Sequence, residues 1–281
     1  KGQMDLVYKD REGWVIVDAD SIDLRGRRPS TGLAIVLALE AALLVADDRR
    51  PGPELLDWYA GLPRDEELAW DRPARHALFD VLRQGNSRSW RFLETTGMLD
   101  RVLPELADTM RRRREDASEL DPVQVLRWST LEEVTAQIGT PAYEAIDRPE
   151  WLLLAALVLD VAGDQEPPVE AARQIARRLR LGVAAEEEVE LLLAERGLLR
   201  SAAARPDGLE EERVLPLAVH LKRPERARAL HLLTLASGQL EPWVRDRLDT
   251  LTQRILTVLE LPRTQVDERR REVLSAASSA L

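Results

Sequence analysis

A chain of 281 residues with 44% hydrophobic and 32% charged side chains has the composition of one large or two modest globular domains, and it can bury a sizeable core. Its formal net charge of −10 opposes a phosphate backbone or an anionic membrane surface, so neither nucleic acid nor membrane is an expected partner. The absence of cysteine excludes disulfides, thiolate nucleophiles and cysteine metal sites, and it suits a reducing cytoplasm, the expected location.

The chain opens Lys1-Gly2-Gln3, with no initiator methionine and no charged segment leading into an apolar one. No secretory signal is expected, and the start is read as a cut within a longer protein. Two β-rich runs follow, Leu6-Val7-Tyr8 and Trp14-Val15-Ile16-Val17, and their turn-rich connection from Lys9 to Gly13 predicts a hairpin and the only sheet. Asp18, Asp20 and Asp23 alternate just after it. They lack the glycine and terminal glutamate of a calcium loop and read as a polar turn.

From Pro29 onward the pattern becomes Ala/Leu-rich with helical spacing, punctuated by Pro and Gly, so the fold class is all-α. Helices are predicted at 30–46, 53–60, 73–84, 87–97, 101–115, 122–138, 150–161, 168–180, 185–196, 209–220, 224–236, 241–259 and 264–279. Ser87 is the expected cap of the helix carrying Trp90 and Leu93, and Gly97 its stop. Arg111 to Arg114 with Glu115-Asp116 is a mixed charge cluster at the end of a helix, close to the Ser118-Glu119 break, and reads as an exposed linker. Glu186-Glu187-Glu188 reads as a solvated first turn, where acids favour the helix dipole. The longest apolar stretches, Leu33–Ala46 with Glu40 inside it and Trp151–Val161, fall short of the roughly 20 residues that span a bilayer.

The chain holds no GxxxxGK[ST], GxGxxG or GxSxG. His76, His220 and His231 are its only histidines, and none forms an HxxxH, HExxH or HD pair. They are expected at the surface or in helix packing. The tryptophans, Trp14, Trp58, Trp70, Trp90, Trp128, Trp151 and Trp243, are scattered through different elements, as core anchors are. Only Lys1, Lys9 and Lys222 among 40 basic residues are lysine, so the abundance of arginine by itself says nothing about phosphate.

One resemblance emerges. The run Phe92-Leu93-Glu94-Thr95-Thr96-Gly97-Met98-Leu99, leading into Val102-Leu103-Pro104-Glu105-Leu106, resembles the segment before the HD domain of bacterial PII uridylyltransferases. Leu152–Val161, Ala171–Leu181, Val189–Leu199 and Leu230–Ser237 are similar, in order and spacing, to the helices of that HD domain. The likeness covers about residues 10–260, and Asp10 to Pro29 is similar to the strand pair that follows the family's nucleotidyltransferase domain. It implies an HD-like helical bundle at 119–281, a helical linker domain at 29–118 and a hairpin segment at 1–28. The family's nucleotidyltransferase and ACT domains would then be neighbours in a longer chain, with a PII-type signalling protein as partner.

Where the family carries its His-Asp pair, this chain has Leu159 and Asp160. An upstream family histidine falls near Arg127-Trp128-Ser129-Thr130-Leu131; the family's Gly-Asp-His falls on Gly163-Asp164-Gln165, its paired histidines on Glu195-Arg196, and its late aspartate on Ser237. An HD site grips divalent ions through several imidazoles and carboxylates to generate hydroxide and polarise a phosphoester. Asp160 alone cannot do that. The resemblance therefore implies no catalytic residue, no bound metal and no cofactor, with Asp160 capping a helix or pairing with an arginine.

Three functions are compatible with these residues. The first is a non-catalytic regulatory scaffold. The second is a phosphohydrolase whose Mg or Mn site is rebuilt from Asp160, Asp164 and Glu195. The third is an RNA-binding body similar to that of tRNA nucleotidyltransferases, using Arg111–Arg114 and Arg177-Arg178.

Overall fold

The computed structural model describes residues 15–17, 20–26, 28–116, 125–163, 168–238 and 240–261. These form an all-α protein with one small sheet near the N-terminus. They divide into two compact units, residues 1–128 with 174–181, and residues 129–173 with 182–281. The junction expected at 118/119 lies outside the described residues. Contacts instead place Val125 to Trp128 with the first unit and return Gln174–Leu181 to it.

In the first unit, β1 (Val15–Val17) pairs antiparallel with β2 (Ser21–Leu24), in the register Val15 to Leu24. β3 (Arg50–Pro51) adds to β2 in parallel. Val15–Val17 thus finds a downstream partner in β2, while Leu6–Tyr8, the other run of the expected hairpin, lies outside the described residues. Helix α1 (Ala34–Ala46) follows a 3-10 turn at Thr31–Leu33 and is apolar all round, burying Ile35, Leu37 and Leu39 among others. A helix of that composition belongs in the middle of a core. It packs against α3 (Arg72–Gln84) and α4 (Ser87–Thr95), whose apolar positions at 78, 81 and 82 and at 90, 92 and 93 supply single buried faces.

Helix α2 (Pro53–Ala60) lies beside β2. Helices α5 (Met98–Val102) and α6 (Pro104–Asp116) complete the unit. Gly97 ends α4 as expected, at φ +69°. The cap, however, is Asn86 rather than Ser87: its side chain accepts the Arg88 N–H at 2.9 Å, and Ser89 Oγ accepts the Asn86 N–H. Ser89 Oγ also donates to the Ala42 carbonyl at 2.9 Å, fixing α4 against α1.

The second unit is built around α9 (Pro149–Ala162), which buries Leu152 to Val158 without a break. Against it pack α7 (Ser129–Thr135), α11 (Val183–Ala194) and α14 (Pro224–Ala236). Helix α15 (Pro242–Glu260) covers α12 (Leu198–Ala204), α13 (Glu211–Leu221) and α14. The short α8 is Pro141–Glu144, and α10 is Pro168–Arg178, whose residues from 174 onward are counted with the first unit.

The helix expected over 122–138 is interrupted: Val125 is helical, Arg127 and Trp128 are not, and the next helix starts at Ser129. Trp128 is 1% exposed and stacks edge-on against Trp90 with centroids 5.8 Å apart, so the chain there is held in the first unit's core. The predicted helix at 264–279 lies outside the described residues. No helix among the described residues is long and apolar enough to cross a membrane.

Candidate functional site

The residue that the family resemblance singled out, Asp160, sits in the last turn of α9 and is 8% exposed. Its Oδ1 accepts the Thr130 N–H at 3.0 Å and the Ser129 hydroxyl at 3.4 Å, and its Oδ2 accepts the Leu131 N–H at 3.0 Å. Those amides are the second and third of α7, which an α-helix leaves without internal acceptors. Asp160 therefore caps a helix that begins 31 residues earlier, and its negative charge lies at the positive end of that helix dipole. Its neighbours come from Ser129, Thr130 and Leu131, through main chain and a hydroxyl.

The other positions of the implied metal set lie elsewhere in the polar network. Glu195 Oε1 meets His220 Nε2 at 3.0 Å. The Arg196 guanidinium donates to the Leu193 carbonyl at 3.0 Å, and Ser237 closes the C-terminus of α14. Gly163 ends α9 at φ +54°, while Asp164 and Gln165 lie outside the described residues. Among the described residues, no three His, Asp or Glu side chains gather in a way that could hold a metal ion. Among the described residues, Asp160 belongs to no such group, and both of its oxygens are engaged by α7.

The arginines at 111–114 lie at the end of a helix, as expected, but are tied into ion pairs there. They form the last turns of α6, where Arg111 pairs with Asp108 at 2.6 Å and Asp100 at 3.2 Å, and Arg114 pairs with Glu94 at 2.5 Å. Arg113 lies over the Trp128 ring, 4.7 Å from its centroid, and donates to the Arg127 carbonyl at 2.6 Å. Arg178 pairs with Glu105 at 2.9 Å, and Arg177 is exposed.

Two polar clusters escaped the sequence reading. Glu188, expected in a solvated first turn, is 11% exposed and grips Arg226 of α14 two-pronged, at 2.9 Å to Nε and 2.6 Å to Nη2. Arg223 adds a third contact at 2.7 Å. Hydrogen bonding to Glu188 holds the Arg226 guanidinium above its ordinary pKa, against the opposing effect of burial. Beside this pair is a cavity of about 280 Å³ lined by Arg148 and Trp151 among others, with the Arg148 guanidinium 5.5 Å from the Trp151 ring centroid. Its charges balance: Arg148, Arg223 and Arg226 stand against Asp147, Glu188 and Glu225.

The second cluster ties α14 to α15. His231 Nδ1 lies 2.8 Å from Thr252 Oγ1, and Nε2 lies 3.3 Å from Asp249 Oδ1. An imidazole protonated at Nε2 satisfies both, with the Thr252 hydroxyl donating to Nδ1. Burial pushes His231 below the usual histidine range, outweighing the opposite pull of Asp249. The order of groups is that of a hydrolytic triad, but Thr252 is 4% exposed within a helix. Its neighbouring amides serve the helix ladder and cannot stabilise an oxyanion. The cluster works as a clamp.

The chain matches no family model and no curated protein sequence.

Proposed function

We propose that this chain is a non-catalytic helical body of a longer regulatory protein, placed as the HD region is in PII uridylyltransferases, which passes conformational signals between neighbouring domains. The observation that carries this reading is the engagement of both Asp160 oxygens by the Thr130 and Leu131 amides. The carboxylate that an HD phosphohydrolase would offer to a metal is committed here to joining α9 and α7. What further supports it is that the segment standing in for the family's upstream histidine meets Asp160 with Ser129, Thr130 and Leu131, none of which carries an imidazole.

In this reading the partners are nucleotidyltransferase and ACT domains in the same polypeptide and, through them, a PII-type protein. Rigid central helices such as α9, clamped at one end by Asp160, transmit displacement rather than absorb it.

The test is metal analysis and turnover on one preparation. Protein produced with manganese, iron and zinc supplied is expected to carry less than a stoichiometric amount of each after desalting. It is also expected to leave uridylylated PII and bis(4-nitrophenyl) phosphate uncleaved with Mg²⁺ or Mn²⁺ added. One equivalent of retained metal, or metal-dependent cleavage lost in Asp160→Asn, overturns the proposal in favour of a rebuilt phosphohydrolase site.

A further inference from the structure

A cavity of about 550 Å³ in the first unit lies between the turn after α1 and the exposed side of α4. Arg49 and Arg50 come to it from the turn, and Arg88 and Arg91 from the helix. Phe92 and Thr95 share the helix wall, and the spacing 88, 91, 92, 95 is that of one helical face. Val45, Leu56 and Pro51 supply the apolar part of the lining. This size is usual for a small-molecule site, which is mostly apolar with a few convergent polar groups.

The charge is unbalanced, unlike that of the cavity beside Glu188. Asp48 is the only carboxylate in the lining, and it is paired with Arg88. Arg49, Arg50 and Arg91 have no ion-pair partner among the described residues, in a chain whose net charge is −10. Cations do gather at helix C-termini to satisfy the last carbonyls, and α1 ends here. Three of the last four carbonyls are already taken, Leu44 by the Arg49 N–H at 3.4 Å, Val45 by the Asp48 N–H at 3.2 Å and Ala46 by Asn86 Nδ2 at 3.2 Å, Ser89 Oγ holds the Ala42 carbonyl at 2.9 Å, and no guanidinium of Arg49, Arg50 or Arg91 donates to α1 among the described residues. The guanidinium groups are therefore surplus to the helix end.

The walls are also held in place. The Arg50 N–H donates to the Asp20 carbonyl at 2.8 Å, and Asp48 sits at φ +70° in the turn. The Ser89 and Asn86 bonds fix α4 to α1.

We infer that this cavity binds an organic phosphate with a flat apolar body, its phosphate among Arg49, Arg50 and Arg91 and its body against Phe92 and Leu56. Phosphate fits better than carboxylate for two reasons. A phosphomonoester carries about −1.5 to −2 charge at pH 7 and so answers more than one of the three surplus cations, and its oxygens match the guanidinium fork. The inference is independent of the regulatory reading above.

Calorimetric titration tests it, using phenyl phosphate and adenosine monophosphate as probes, with inorganic phosphate and adenosine as partial ligands. Phenyl phosphate and adenosine monophosphate are expected to saturate, each at least about tenfold tighter than either fragment, and to weaken as salt is raised. The double variant Arg49→Gln/Arg91→Gln is expected to lose about tenfold or more in affinity. The control Arg200→Gln/Arg245→Gln removes the same charge from exposed positions of the second unit and should leave binding unchanged. Should the double Gln variant unfold, Arg49→Lys/Arg91→Lys keeps the charge without the fork and is expected to bind severalfold more weakly. No saturation by either organic phosphate at millimolar concentration overturns the inference. So does equal binding of inorganic phosphate, equal loss in the control pair, or far tighter binding of a short oligonucleotide.

Discussion

Asp160 and Thr130 lie 30 residues apart and share a 3.0 Å hydrogen bond that starts one helix from the end of another. An N-cap contributes about 0.5–2 kcal/mol, and a carboxylate left buried with its partners would add a desolvation cost if those partners were disturbed. Asp160→Ala is expected to lower the unfolding free energy by about 1–3 kcal/mol in urea titration. Asp160→Asn should lose less, because one oxygen still accepts while the amide NH₂ opposes an N–H. An unchanged urea midpoint in Asp160→Ala would show that α7 starts without this cap.

Local periodicity was enough for helices whose faces are buried by sequence neighbours, and the spans 53–60 and 224–236 coincide with α2 and α14. It failed at 122–138 because the position of Ser129 as a helix start depends on Asp160, and Trp128 is claimed by Trp90 and Arg113. Glu188 was misread for the same reason. Three acids in a first turn look solvated until Arg226, 38 residues later, removes one of them from water. The cationic cavity was invisible because Arg49-Arg50 and Arg88/Arg91 meet only when α1 and α4 pack. Polar sites assembled across tens of residues leave almost no local trace, whereas an apolar stripe is its own signal.

The Glu188–Arg226 pair makes a sharper prediction about what a shielded ion pair contributes. Both side chains are 11% exposed, so removing Glu188 strands Arg226 in a poorly solvated place, and removing Arg226 leaves Glu188 with only the exposed Arg223. Arg226→Met is expected to cost about 3 kcal/mol, near the lower range for breaking a buried pair. The double variant Glu188→Met/Arg226→Met should recover much of that, since an apolar pair of similar volume has no charge to desolvate. A double variant as unstable as the sum of its singles would show that the two residues act separately.

His231 gives a pH dependence with a definite sign. Its folded pKa lies below the ordinary 6.5 because burial disfavours the imidazolium, despite Asp249 nearby. Between the folded value and 6.5 the unfolded chain binds more protons, so stability is full above about pH 6.5 and falls as pH drops through that window. Arg228 and Glu260 line a cavity together with His231, but neither takes part in the hydrogen bonds of His231. The thermal midpoint of the native protein should therefore fall from pH 7.5 to pH 5 by more than that of His231→Gln. Parallel curves for the two proteins would mean that another group carries the dependence.

Gly52 and Asp23 are matched to each other at the start of α2. Asp23 Oδ1 accepts the Leu55 N–H at 2.8 Å, capping the helix from the neighbouring strand, while the Gly52 N–H donates to the Ile22 carbonyl at 2.7 Å. A Cβ on residue 52 would stand 2.2 Å from the Asp23 carboxylate carbon and one of its oxygens, and 2.7 Å from its Cβ. Of the alternating aspartates, Asp23 thus serves as a cap and Asp20 is exposed, while Asp18 lies outside the described residues. Gly52→Ala must push the carboxylate off the Leu55 amide or move the strand, and is expected to cost about 2 kcal/mol. Asp23→Ala alone should cost about 1 kcal/mol, the cap itself. In the double variant the two 2.2 Å contacts are gone and only the one to Cβ remains. Chemical denaturation should show the pair costing about 1 kcal/mol less than the sum of the singles; strict additivity would mean that the alanine acts on the strand alone, with no displacement of the cap.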